Sequence, residues 1–180
     1  MLPLYIPKGE FWDEEHERFM YTKETVLKLE HSLISISKWE AKWQVPFFDT
    51  EKTTEQIVDY IRCMTLNTDV DPLVYRRLTR SDYEKINAYI ASPMTATTIR
   101  DDGSHRKNKG KIITSELIYY WMFSFQIPIE TEKWHINRLL MLIRVFSEEN
   151  KPNKKMTQRE IMNQNKALNA ARRAKLNSKG

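Results

Sequence analysis

Leu2, Leu4 and Ile6 alternate with Pro3, Tyr5 and Pro7. A period of two marks a strand, and prolines that have no N–H to donate place it at a sheet edge. Thr25, Leu27 and Leu29 alternate in the same way with Val26, Lys28 and Glu30. The two segments are expected to pair as a small N-terminal ribbon, with Phe11 to Arg18 as their connection. From Leu33 the pattern changes. Leu-Ile-Ser-Ile-Ser still alternates, but Leu29, Leu33, Ile36 and Trp43 also fit helical spacing. The chain is read as a helix from Ser32 to Gln44, ended before Pro46 because proline drives its preceding residue out of the helical region.

Helical signals then follow one another. Thr53 with Gln56 makes a capping box, and Ile57, Ile61 and Met64 line one face of a helix ending near Leu66. Pro72 opens a short helix through Leu78, since the N–H it lacks would be unpaired at that position anyway. Ser81 with Glu84 gives a second capping box ahead of Ile86, Tyr89 and Ile90, and Ser92-Pro93 stops that helix. Pro93 to Lys111 is the least periodic internal stretch, with a polar tip from Asp101 to Gly110 that divides the chain into halves.

The second half opens with Thr114 or Ser115 as N-cap to a run that is apolar nearly all round, from Leu117 to Phe125. Such a helix is buried on most sides or forms an interface, and it is expected to be the central helix. A further helix from about Thr131 carries Ile136, Leu139, Leu140, Ile143 and Phe146 on one face. The short connection at Pro128 predicts an antiparallel hairpin. Finally, Thr157 and Glu160 form a capping box for a helix through about Ala174 whose apolar content is thin. The fold class is therefore mainly α: a compact helical domain over residues 1–150 with a small N-terminal β ribbon, followed by a basic C-terminal helical tail over residues 151–180.

Charge sharpens that division. The net charge is +5, yet residues 151–180 hold nine bases against Glu160 alone, a net of +8, while the first 150 residues carry 20 bases and 23 acids. A polycationic tail of this kind usually seeks nucleic acid or an acidic protein surface, the alternative being a solvated, weakly structured chain end. Only four glycines occur in 180 residues, none in a phosphate-cradling spacing, which disfavours a nucleotide enzyme. The single cysteine, Cys63, excludes an internal disulfide framework and fits a reducing cytosol. No stretch reaches the ~18 apolar residues of a membrane span, so no membrane partner is expected.

Candidate chemistry is sparse. Of the histidines at 16, 31, 105 and 135, His16 sits in an acidic run whose consecutive residues point in different directions. His135, beside an apolar helix face, reads as a hydrogen-bonded structural residue. Cys63 lies next to an apolar face and reads as core packing. Trp39 and Trp43, four apart, read as core anchors, as does Trp121. Trp134, which precedes the main apolar stripe, reads either as a packing residue like Trp121 or as a partner-binding residue, and the candidate partner-binding set is Trp134 with Lys154, Lys155, Arg159, Lys166, Arg172, Arg173 and Lys175 of the tail. No catalytic, metal-ligating or cofactor-binding set is assigned.

Several strings taken together carry a resemblance: Leu29-Glu-His-Ser-Leu-Ile-Ser-Ile-Ser-Lys-Trp-Glu-Ala-Lys-Trp43, Asp59-Tyr-Ile-Arg-Cys-Met-Thr65, Ser92-Pro-Met-Thr-Ala-Thr-Thr98, Ile113-Thr-Ser-Glu-Leu-Ile-Tyr-Tyr-Trp-Met122, and the tail from Asn165 to Gly180. Over nearly its whole length the chain resembles small late-region proteins of tailed bacteriophages, the tail assembly chaperones encoded beside the tape measure protein. The resemblance implies a non-enzymatic, largely helical protein of the host cell cytoplasm, without cofactors. Its implied partners are the tape measure protein, the tail-tube protein or a second copy of itself. The basic tail departs from that picture and equally suits nucleic acid or a minor virion component.

Overall fold

A computed structural model describes residues 1–14, 17–99, 112–150 and 158–176. The fold is mainly α with a β ribbon at its N-terminus. The chain divides into two compact units, Met1–Ser147 and Glu148–Gly180.

Strand β1 (Leu2–Ile6) pairs antiparallel with β4 (Thr25–Leu29), placing Leu4, Ile6, Leu27 and Leu29 in the core, as their alternation predicts. The intervening segment is not a simple connection. It forms strands β2 (Gly9–Asp13) and β3 (Arg18–Thr22), paired in the same register, so that Gly9 faces Thr22 just as Leu2 faces Leu29. Phe11, Trp12, Phe19 and Tyr21 supply β propensity, but acids among them mask the alternation. The two ladders separate where Pro7 has no N–H to donate. Arg77 spans this break: its guanidinium donates to the carbonyls of Pro7 and Lys8 and to Thr22 Oγ1. A Cβ at Gly9 would meet that guanidinium, so a side chain there would push the end of Arg77 aside.

Helix α1 (Leu33–Trp43) begins at Ser32, whose side chain and Ser35 form a reciprocal capping box, and ends at Gln44 in the left-handed conformation. Leu33, Ile36 and Trp39 are wholly buried, and α1 packs against α2, α4 and the turn preceding α5. It is α1 and not the apolar run of the second half that occupies the centre. Trp39 donates its indole N–H to the Gln56 carbonyl at 3.0 Å, and half-buried Trp43 donates to Asp59 at 2.9 Å.

Helix α2 (Thr54–Met64) carries the predicted Thr53/Gln56 capping box. Its buried face holds Tyr60, Ile61 and Met64, while Ile57 faces solvent because Tyr60 takes the inward position. Cys63 is half-buried against the core, where burial and Asp59 raise its thiol pKa. Pro72–Arg77 is a 3₁₀ turn capped by Asp71. Helix α3 (Arg80–Ala91) is capped by Thr79 and Asp82 rather than Ser81 and Glu84: the buried Asp82 carboxylate accepts from the Thr79 N–H at 2.9 Å and from its hydroxyl at 2.7 Å, which starts the helix earlier and leaves Ser81 inside it.

Helix α4 (Ser115–Ser124), capped by Thr114, buries only the stripe of Ser115, Ile118 and Met122. Tyr120 and Phe123 stay 63% and 65% exposed and Trp121 is half-buried, so this helix lies on α1 with one face and is not enclosed. A 3₁₀ turn (Ile129–Lys133) precedes α5 (Ile136–Glu149), which buries Ile136, Leu139 and Ile143. The expected hairpin does not form along its length. Phe125 at the end of α4 stacks on Phe146 near the far end of α5, with centroids 5.9 Å apart. Buried Glu40 ties the halves together: its carboxylate accepts from the Phe47 N–H at 2.8 Å and the Ser115 N–H at 2.7 Å. The second unit contains α6 (Gln158–Leu176).

Trp39→Ala is expected to cost about 3–5 kcal/mol, whereas Tyr120→Ala on the exposed face should stay within about 0.5 kcal/mol of wild type. Urea unfolding of both variants checks the placement of α1 and α4, and a fully stable Trp39→Ala protein contradicts it. Glu40→Ala strands two buried N–H donors and should cost at least about 2 kcal/mol in the same assay.

Candidate interaction surfaces

Polar chemistry inside the first unit concentrates around His31 and His135, which are buried with ring centroids 5.1 Å apart. His31 Nδ1 meets the Tyr60 hydroxyl at 2.5 Å, and its carbonyl accepts from the Ile136 N–H at 2.7 Å. His135 Nδ1 accepts from the Asn137 N–H at 3.3 Å, which leaves Nε2 protonated to donate to the Tyr89 carbonyl at 3.1 Å. Tyr89 in turn donates to Glu30, whose second oxygen holds the Met1 ammonium at 2.8 Å. Desolvation, reinforced by the neighbouring His135, lowers the His31 pKa to about 3. Desolvation also lowers that of His135, against the opposing hydrogen bond to Tyr89. Both rings are neutral and closed off by protein groups, so the cluster positions three chain segments. His135 is the hydrogen-bonded structural residue its sequence context predicts.

A more accessible feature lies on α5. Trp134, half-buried, lies beneath the Arg138 guanidinium, 4.0 Å from its ring centroid. Both line a groove of about 500 Å³ between the segment 94–97 and α5, with Met94, Met141, Leu142 and Val145 among its other walls. Among the described residues, Arg138 is the only charged side chain in that lining. Aromatic residues, Met and Arg are the types that protein interfaces favour. Sequence reasoning picked out Trp134 but missed Arg138, because Trp134 sits before α5 in extended backbone, at φ −72° and ψ 160°, where the i, i+4 rule of a helix does not pair them.

Arg159, Lys166, Arg172, Arg173 and Lys175 are all exposed on α6. Arg159, Lys166 and Arg173 recur every seven residues, which keeps them on one face with a drift of only ~20° per repeat. Met162, Leu168 and Leu176 are exposed on the same helix. Lys154 and Lys155, like the Thr157 cap, His16, His105 and the polar tip Asp101 to Gly110, lie outside the described residues. Trp134 and the α6 bases fall in separate units. No helix among the described residues is long and apolar enough to cross a membrane.

Comparison with known proteins finds nothing similar to this chain: no family model, no curated protein and no solved structure matches.

The histidine cluster gives stability a pH dependence of fixed sign. An unfolded histidine titrates near 6.5, whereas His31 resists protonation down to about 3. The unfolded state therefore binds the proton first, and the stabilisation is complete above 6.5 and lost as pH falls below it. Urea unfolding between pH 7 and pH 5 should show a decline approaching 1.4 kcal/mol per pH unit from His31, with His135 adding in the same direction. A flat profile across that window contradicts the burial of the pair.

Proposed function

We propose that this protein is a non-enzymatic assembly factor of a tailed bacteriophage, a tail assembly chaperone that holds an apolar, acidic segment of the tape measure or tail-tube protein. The observation that carries the reading is the Trp134–Arg138 groove, an apolar trough whose one charge is positive. An amphipathic segment with apolar anchors and an acidic side chain complements it, in the manner of a helix seated in a groove. The exposed bases and apolar residues of α6 call for the same partner chemistry. An aggregation-prone helical protein awaiting assembly presents surfaces of this kind. The sequence resemblance supplies the phage context.

A second reading is nucleic-acid binding through α6, favoured by the one-sided stripe of Arg159, Lys166 and Arg173. The two readings separate by salt. Contacts to several phosphates of duplex DNA impose a log–log salt slope of about −0.9 for each contact.

Co-expression with the tape measure and tail-tube proteins, followed by affinity capture, tests the leading reading. Trp134→Ala and Arg138→Gln are each expected to weaken capture by about 2 kcal/mol, roughly thirtyfold in Kd, while leaving the fold intact. Failure to capture either protein sinks the chaperone reading. Salt-steep DNA binding that Lys166→Gln and Arg173→Gln abolish favours the second.

A further inference from the structure

The β2–β3 ribbon carries an aromatic face that is exposed among the described residues. Glu10 opposes Tyr21 and Trp12 opposes Phe19 across the ladder, so these four residues share one side. Trp12, Phe19 and Tyr21 are 49%, 56% and 70% exposed, and Trp12 meets Phe19 edge to face at 5.0 Å. Glu10, Glu14 and Glu17 are exposed around them. Residues 9–22 as a whole carry five acids against Arg18 alone. A face that is both aromatic and acidic has the chemistry that α6 lacks and complements.

We propose that the ribbon of one copy receives helix α6 of a second copy. Charge complementarity carries the proposal. Helix α6 holds five bases against Glu160, and its exposed Met162, Leu168 and Leu176 give the aromatic face apolar contacts. Arginine and lysine also stack on aromatic faces, a contact that an acid–base pair without a ring does not provide. The dimensions agree. Arg159 to Arg173 rises about 21 Å along the helix, and a five-residue strand spans about 17 Å. The Trp134–Arg138 groove is not the receiving surface, because its one charge repels a basic helix. A ribbon-to-helix contact is heterologous: two copies close it by exchanging helices, and otherwise it extends into a chain. This inference goes beyond the chaperone reading and does not depend on it. Where both hold, self-association occupies α6 until the phage partner displaces it.

Sedimentation velocity of the full-length protein alone tests the contact. At about 0.05 M salt the mean mass should rise above 21.6 kDa with concentration, and at about 0.5 M salt, where screening is severe, it should return to the monomer value. Glu10→Lys with Glu14→Lys should abolish association, as should Lys166→Glu with Arg173→Glu, each protein remaining folded by circular dichroism. Mixing the two variants should restore association, because the unaltered α6 of the ribbon variant meets the unaltered ribbon of the helix variant. Should the ribbon variant not fold, the helix variant still decides, since its changed residues are exposed. Trp12→Ala should weaken association about tenfold or more. A protein that is monomeric under every condition overturns the proposal, as does association that survives 0.5 M salt or ignores the helix variant. So does a helix variant that loses DNA binding while wild-type protein never self-associates, which assigns α6 to nucleic acid.

Discussion

The first unit depends on how the chain passes from sheet to helix inside its own core. Glu30, His31 and Ser32 make that passage in three residues, and all their polar groups must find partners away from water. Glu30 takes the Met64 carbonyl with its N–H and the Tyr89 hydroxyl with its side chain. His31 is held by Tyr60 on α2 and by Ile136 at the start of α5, and Ser32 caps α1. Satisfying three polar residues therefore draws the ends of α2, α3 and α5 to one place. Packing of Leu33, Ile36 and Trp39 then fills the space this convergence defines.

Much of the architecture was legible because it rests on local rules. Period-two alternation located β1 and β4, and the Thr53/Gln56 box located α2. The misreadings share one cause, a choice that only tertiary packing makes. The apolar run from Leu117 to Phe125 has no polar face, so its sequence cannot say which stripe is buried. The α3 cap lies two residues before the expected one because Thr79/Asp82 and Ser81/Glu84 overlap as local signals, and the buried Asp82 carboxylate, bonded to the Thr79 N–H and hydroxyl, selects the first. Strands β2 and β3 lay hidden because their exposed aromatics and acids follow no buried face. Among the surfaces, Trp134 stood out by its place before an apolar stripe. The stack of Arg138 upon it and the groove that both line depend on the segment 94–97, forty residues earlier.

The surface chemistry has a consistent polarity. Bases dominate α6 and the Trp134 groove, while acids gather around the ribbon's aromatic face. Charges so separated do little for the stability of the unit that bears them, since exposed ion pairs contribute little. They act on what approaches from outside, by steering and by rejecting like charge. The interior is the reverse case. Glu40 spans 75 residues to bond with Ser115, and Asp59 takes Lys42 and Trp43, so buried charge is spent on register between distant segments.

Two helix ends show what the scarcity of glycine leaves in the chain. Helix α4 closes in a Schellman arrangement, with the Ile127 N–H on the Met122 carbonyl and the Gln126 N–H on that of Phe123. The left-handed residue at its pivot is Gln126, at φ 56°, and Gln44 takes the same conformation after α1. Glycine occupies such pivots in most proteins because a side chain there costs about 1–2 kcal/mol. This backbone thus tolerates a conformational load at two chain reversals without yielding its fold. It keeps an unspent margin of thermal robustness that a lineage under heat, or a protein engineer, reaches by changing one residue at either turn.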